Sequence, residues 1–133
     1  MTIPTTAPEL TGRRILVVED EMLIAMLLED LLADLGCQVL GPASNVPQAL
    51  ELTAKERPDA AVLDVNLGAE RVYPVADALT RAQVPFVFVT GYGQTGLADA
   101  YGGHATIMKP FDPETFGPEL AQGLRQAGDR AGA

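Results

Sequence analysis

The chain has 133 residues, a formal net charge of −9, and 47% apolar against 20% charged residues. That apolar share supports one compact core rather than a disordered segment. The acidic balance leaves no basic stripe to replace phosphate counterions, so nucleic-acid binding is not expected.

Residues 1–12 (MTIPTTAPELTG) read as a flexible leader, 13–128 as a single domain and 129–133 as a flexible tail. The leader lacks the basic start and apolar run of a signal peptide, and no apolar stretch approaches a membrane span. With the lone Cys37 unable to form an internal disulfide, a soluble protein of the reducing cytoplasm is expected.

Ile15–Val18 is a continuous apolar run of strand length. Leu23, Leu27, Leu31 and Leu35 then recur at helical spacing beside Ile24, Leu28 and Leu32, and Gly36 ends that helix. Val39–Leu40 is a short second strand. Ser44 or Asn45 can cap a second helix running to about Arg57, with Pro47 in its first turn. Ala60–Val65 is a third strand, Tyr73–Gln83 a third helix and Pro85–Thr90 a fourth strand. The glycine-rich stretch that follows leaves room for a short fourth helix near Thr95–Ala100. Ala105–Met108 is a fifth strand, and Asp112-Pro113 opens a last helix. Gly117-Pro118 should distort its first turn, with regular helix from about Pro118.

Strands that are apolar throughout and alternate with helices make a parallel sheet covered on both faces. The expectation is an α/β flavodoxin-like doubly wound fold: five parallel strands in the order 2-1-3-4-5, flanked by five helices. Ligands of such sheets bind at the carboxyl ends of the strands. Here those ends carry Glu19-Asp20, Asp64, Thr90 and Lys109. Close carboxylates repel one another and call for a cation, and hard oxygens suit Mg2+, with Mn2+ an alternative. A carboxylate can attack phosphorus to form an aspartyl phosphate, while metal, lysine and hydroxyl stabilise the equatorial oxygens. Asp64, alone at the central strand end, is the nucleophile candidate. Asp20, with Glu19, would hold the metal directly or through water, and the Asn66 backbone carbonyl could add an oxygen. Lys109 would neutralise the phosphate and Thr90 bond one of its oxygens. His104 reads as a solvated loop residue, and Cys37 as a small buried apolar one.

ILVVEDE, VLDVNLG, FVTGYG and IMKPF, in this order and spacing, resemble the response regulator receiver domain, from about Arg13 to about Gly128. The resemblance implies Glu19 and Asp20 as the acidic metal pair, Asp64 as the phosphorylation site, Thr90 as switch hydroxyl and Lys109 as phosphate-binding lysine. It also implies a cis peptide before Pro110. Such a domain is a signalling module rather than an ordinary enzyme, partnered by a histidine kinase and a downstream protein target. It would be a monomer or a weak homodimer. Output could come from target binding, onward transfer or draining of phosphoryl groups. Thr106 stands where many receivers carry a Tyr or Phe switch, and Gly68 replaces a common proline, which should loosen that loop. The run Phe88–Tyr92 resembles a subgroup associated with HWE-type histidine kinases, with Tyr92 as an alternative switch residue. Met22, Ala25 and Met26 could form a kinase-docking face or merely pack at the core rim. A haloacid dehalogenase-like phosphohydrolase is an alternative, but Asp64-x-Asn66 lacks the second acid that family uses as a proton donor. A pseudo-receiver that only binds protein is another, opposed by the intact Asp20, Asp64 and Lys109.

Overall fold

The computed structural model describes residues 8–91, 97 and 99–131. After a 3-10 turn (Pro8–Leu10), the elements are β1 (Arg14–Val18), α1 (Met22–Asp34), β2 (Gln38–Ala43), α2 (Val46–Glu56) and β3 (Ala60–Asp64). Then come β4 (Asn66–Leu67), β5 (Glu70–Arg71), α3 (Tyr73–Arg81), β6 (Phe86–Thr90), β7 (Thr106–Met108) and α4 (Phe116–Ala131). The main sheet is parallel with order β2-β1-β3-β6-β7, which is the expected 2-1-3-4-5 arrangement.

Alternate residues of each strand feed two cores. Ile15 and Val17 join Leu28, Leu31, Leu32, Phe116 and Leu120 on the face covered by α1 and α4. Leu16 and Val18 join Ala49, Val75, Ala76 and Leu79 beneath α2 and α3. Burial on both faces explains why β1, β3 and β6 read as unbroken apolar runs rather than alternating ones.

Local chemistry sets the helix ends. Gly36 adopts φ +81° after α1, and the Cys37 and Gly36 amides donate back to Leu32 and Ala33, closing a Schellman turn. The Asn45 side chain accepts from the Gln48 amide at 2.9 Å and caps α2. Asp112 caps a turn through the Glu114 amide, after which α4 is helical from Phe116, slightly earlier than expected. Pro118 sits in that first turn, where an amide has no intrahelical partner to lose.

The described residues form four α-helices and a 3-10 turn at Asp99–Tyr101; the short fourth helix expected near Thr95–Ala100 falls mostly on residues 92–96 and 98, which lie outside the described set. Three expectations are corrected. The α1 stripe is wider than the core that covers it. Ala25, Leu28, Leu31 and Leu32 are buried, while Leu23 is 80% and Met22 76% exposed. The segment after Asp64 is not loose, because β4 and β5 pair as a hairpin. His104 is buried rather than solvated: its Nε2 lies 2.8 Å from the Phe86 carbonyl oxygen, and its ring stacks on Phe86. Cys37 is half-buried against the core, its thiol donates to the Leu10 carbonyl, and burial pushes its pKa up.

Gly123 lets α4 lie directly on the sheet. A Cβ there would stand 2.7 Å from Val87 Cγ1 and 3.3 Å from Ala105 Cβ. Alanine gains roughly 1 kcal/mol of helix propensity over glycine, but overpacking a core costs about 1–3 kcal/mol. Val87 is fully buried and β-branched, so it yields little. Gly123→Ala is therefore expected to lower stability by about 1 kcal/mol or more in urea denaturation, against the propensity trend.

Candidate functional site

Strand register assembles the site. Val18 pairs with Leu63, Asp64 with Val89 and Thr90 with Met108, so the carboxyl ends of β1, β3, β6 and β7 are level. Glu19 and Lys109 follow directly on β1 and β7. The Glu19 amide donates to the Ala43 carbonyl at 2.9 Å and the Lys109 amide to the Thr90 carbonyl at 2.9 Å, which extends each strand by one residue. The Lys109–Pro110 peptide is cis, as the resemblance implied. Glu19, Asp64 and Thr90 are buried, and Asp20 is exposed at the mouth.

One ammonium serves two buried carboxylates. Lys109 Nζ lies 3.2 Å from Glu19 Oε1 and 3.4 Å from Asp64 Oδ2. Burial alone would lower the lysine pKa; the charges of Asp64 and Glu19 outweigh it and raise it. For Glu19, burial first and then Asp64 push the carboxyl up to about 8, against smaller opposing effects of the Glu21 amide and Lys109. The Glu21 amide reaches Glu19 Oε2 at 3.2 Å, and the Asn66 amide reaches Asp64 Oδ1 at 3.3 Å. Glu19 Oε1 has the ammonium as an ion-pair partner but no hydrogen bond, although it is fully buried.

Glu19, Asp20 and Asp64 each offer an oxygen, and these oxygens lie within 4.8 Å of one another. An all-oxygen donor set, with a buried carboxylate oxygen whose one partner is the shared lysine, fits a hard divalent cation such as Mg2+ better than a soft one. The single lysine leaves the three acids short of positive charge.

The structure brings Glu19, Asp64 and Lys109 into direct contact, with Asp20 beside them and Thr90 next to Lys109 along the backbone. Asn66 is tied to Asp64 through its amide. Tyr92 lies outside the described residues. Of the suggested docking residues, Met22 and Met26 are exposed, whereas Ala25 is only 4% exposed and belongs to the core.

Two features escaped the sequence reading. Glu70 on β5 accepts a hydrogen bond from the Val46 amide at 3.4 Å, so the hairpin is tied to the start of α2. Its signal was Gly68-Ala69, a two-residue hairpin turn with glycine first and φ +61°. Tyr101 stacks on Tyr73 with ring centroids 5.6 Å apart, packs edge-on against Phe88 and bonds Asp77. No local pattern marks that contact.

Among the described residues, no helix is long and apolar enough to cross a membrane. Residues 15–121 match the response regulator receiver domain. The transcriptional regulatory protein PdtaR of Mycobacterium tuberculosis (strain ATCC 25618 / H37Rv) is 33% identical over 125 residues, covering 90% of this chain and 61% of that protein. The phyllosphere-induced regulator PhyR of Methylorubrum extorquens is 35% identical over 114 residues, 83% of this chain and 43% of its own length. The chain thus spans about three-fifths or less of these two curated relatives. The solution structure of SdrG from Sphingomonas melonis Fr1 is 36% identical with a TM-score of 0.70, and the match covers 92% of this chain and 98% of that one. The matched region runs from β1 into α4 and contains every strand of the sheet, so the chain belongs to the response regulator receiver domain family of two-component signalling.

Proposed function

We propose that Asp64 accepts a phosphoryl group from a partner histidine kinase, and that the domain acts in the cytoplasm. The reading rests on one observation: Lys109 Nζ sits between Asp64 and Glu19 at the mouth of a three-carboxylate cluster. An Asp64 oxygen attacks phosphorus, the bond from phosphorus to the kinase histidine nitrogen breaks, and an acyl phosphate forms. Lys109 is placed to neutralise the arriving phosphoryl oxygens, and Thr90 to bond one of them. Glu19, Asp20, Asp64 and the Asn66 carbonyl would hold Mg2+ or Mn2+, which supplies positive charge against the carboxylates and the phosphoryl oxygens. The domain would catalyse its own labelling and hydrolysis while serving as a switch or a phosphoryl sink. A pseudo-receiver would have no use for this intact set, and that disfavours it. Thr90 and Tyr92 would carry the switch, since Thr106 cannot act as a rotating aromatic.

The similarity of Phe88–Tyr92 to the HWE-partnered subgroup supports a kinase of that type. The docking surface is the outer face of α1, where Met22, Leu23, Met26 and Leu27 are all exposed just beyond Asp20. Large apolar side chains exposed together mark an interaction surface, and methionine suits adaptable contacts.

Incubation with acetyl phosphate and Mg2+ is expected to add one phosphoryl group by intact mass, and Asp64→Asn to abolish it. Labelling that persists in the variant would refute the assignment. A Leu23→Asp/Met26→Asp double variant is expected to slow transfer from the kinase about tenfold or more, equivalent to ~1.4 kcal/mol. Its labelling by acetyl phosphate, which needs no docking, should stay near wild type.

The pH dependence follows from Glu19. Its carboxyl is raised from 4.5 to about 8 in the folded protein, so the folded state holds this proton more tightly than the unfolded chain. This contribution to stability is fully present below pH 4.5 and is lost as pH rises through about 8. A bound divalent cation favours the carboxylate and opposes that loss. The Mg2+-induced rise in Tm is therefore expected to be larger at pH 8.5 than at pH 6 by thermal shift, and Glu19→Gln should flatten the difference.

A further inference from the structure

The segment between Asp64 and α3 carries Asn66, whose carbonyl is the backbone ligand in the proposed metal site. Many receivers place a proline four residues after the acceptor; this chain has Gly68 at φ +61°. The hairpin pairs Asn66 with Arg71 and Leu67 with Glu70, and the Val72 amide donates to the Val65 carbonyl at 3.1 Å. Strands this short do not hold themselves in water. Leu67 and Val72 anchor the hairpin by burial. Its polar anchor is Glu70, whose Oε1 accepts from the Val46 amide.

Val46 is the first residue of α2, where the amide has no intrahelical partner and the helix dipole favours an anion. Asn45 already serves the Gln48 amide, so Glu70 supplies a second, separate contact. The hairpin also reaches the acids. A Cβ on Gly68 would lie 3.7 Å from Asp20 Oδ2, and the Asn66 amide is bonded to Asp64 Oδ1.

We infer that Glu70 is a positioning residue: by latching the β4–β5 hairpin to the start of α2, it holds the Asn66 carbonyl in place for the metal. The inference rests on the phosphoacceptor reading given above. Contacts that hold a metal ligand in place set its orientation, and losing one typically weakens metal binding 10–100-fold. A carboxylate that merely stabilised α2 would change Tm and leave metal affinity alone.

The test is Mg2+ titration by calorimetry on the whole chain, with Tm and amide exchange of residues 66–72 measured alongside. Glu70→Ala is expected to weaken Mg2+ binding about tenfold and speed exchange in the hairpin. Glu70→Gln keeps the acceptor oxygen and should stay within about threefold of wild type, because an exposed charge alone is worth little. Val46→Pro removes the donor from the other side. Proline is compatible with a first helical position, so this variant should fold and show the loss seen in Glu70→Ala. It also carries the test if Glu70→Ala fails to fold. Wild-type affinity in Glu70→Ala or Val46→Pro would overturn the inference, as would an equal loss in Glu70→Gln, which would show a charge effect only. Wild-type protein that binds no Mg2+ and takes no phosphoryl group would instead overturn the phosphoacceptor reading beneath it.

Discussion

The Lys109 ammonium, shared between the carboxylates of Glu19 and Asp64, is the contact on which the site depends. Two acids packed this closely in a buried setting repel, and each also loses hydration. Burial first, and the neighbouring Asp64 after it, push the Glu19 carboxyl up to about 8, and the one lysine does not offset them. The cluster is thus held short of positive charge by its own geometry. A third carboxylate, Asp20, stands at the exposed side and deepens that deficit. Under the phosphoacceptor reading, a divalent cation and an incoming phosphoryl group have complementary charges, and the cation would let the arrangement tolerate the phosphoryl group.

Such a cluster persists only on a stiff support. Glu19 and Asp64 stand at the ends of β1 and β3, whose inner residues are buried on both sides, so the backbone there cannot yield to the repulsion at its end. The hydrogen bond from the Lys109 amide to the Thr90 carbonyl carries β7 one residue past its assigned end and keeps the lysine beside β6. The close approach of α4 at Gly123, against Val87 and Ala105, seats the helix on the same two strands near their amino ends.

The strand order and the site's main residues were legible in the sequence because buried parallel strands leave no polar residue in their interiors. Glu19, Asp64, Thr90 and Lys109 stood out by breaking apolar runs, and parallel topology brings such breaks to one edge. What failed to show depended on contacts between distant segments. Nothing around His104 indicates that Phe86 will offer it a carbonyl and a ring to stack on. In α1, Leu23 and Leu27 have the same spacing as Leu28 and Leu32, and only the width of the covering layer decides which pair is buried. Gly68 was misread for a different reason: glycine permits both a loose loop and a tight turn, and the pairing of Leu67 with Glu70 decides between them.

The two unforeseen contacts meet at one place. The hairpin that starts at Asn66 runs through Val72 directly into Tyr73, the first residue of α3. Glu70 fixes it on one side to α2, and Tyr73 fixes it on the other by stacking on Tyr101. Tyr101 in turn packs against Phe88, which lies two residues before Thr90 on the same face of β6, and bonds Asp77 within α3. An aromatic at position 106 would stand beside Phe88 in the neighbouring strand, because Phe88 and Thr106 are register partners. Tyr101 and His104 pack against Phe88 in its stead, reaching it from the segment before β7 rather than from the strand itself. A change at Asp64 therefore meets packed neighbours in two directions, along the hairpin into α3 and across β6 into Tyr101, and both directions end on the Tyr73–Tyr101 stack.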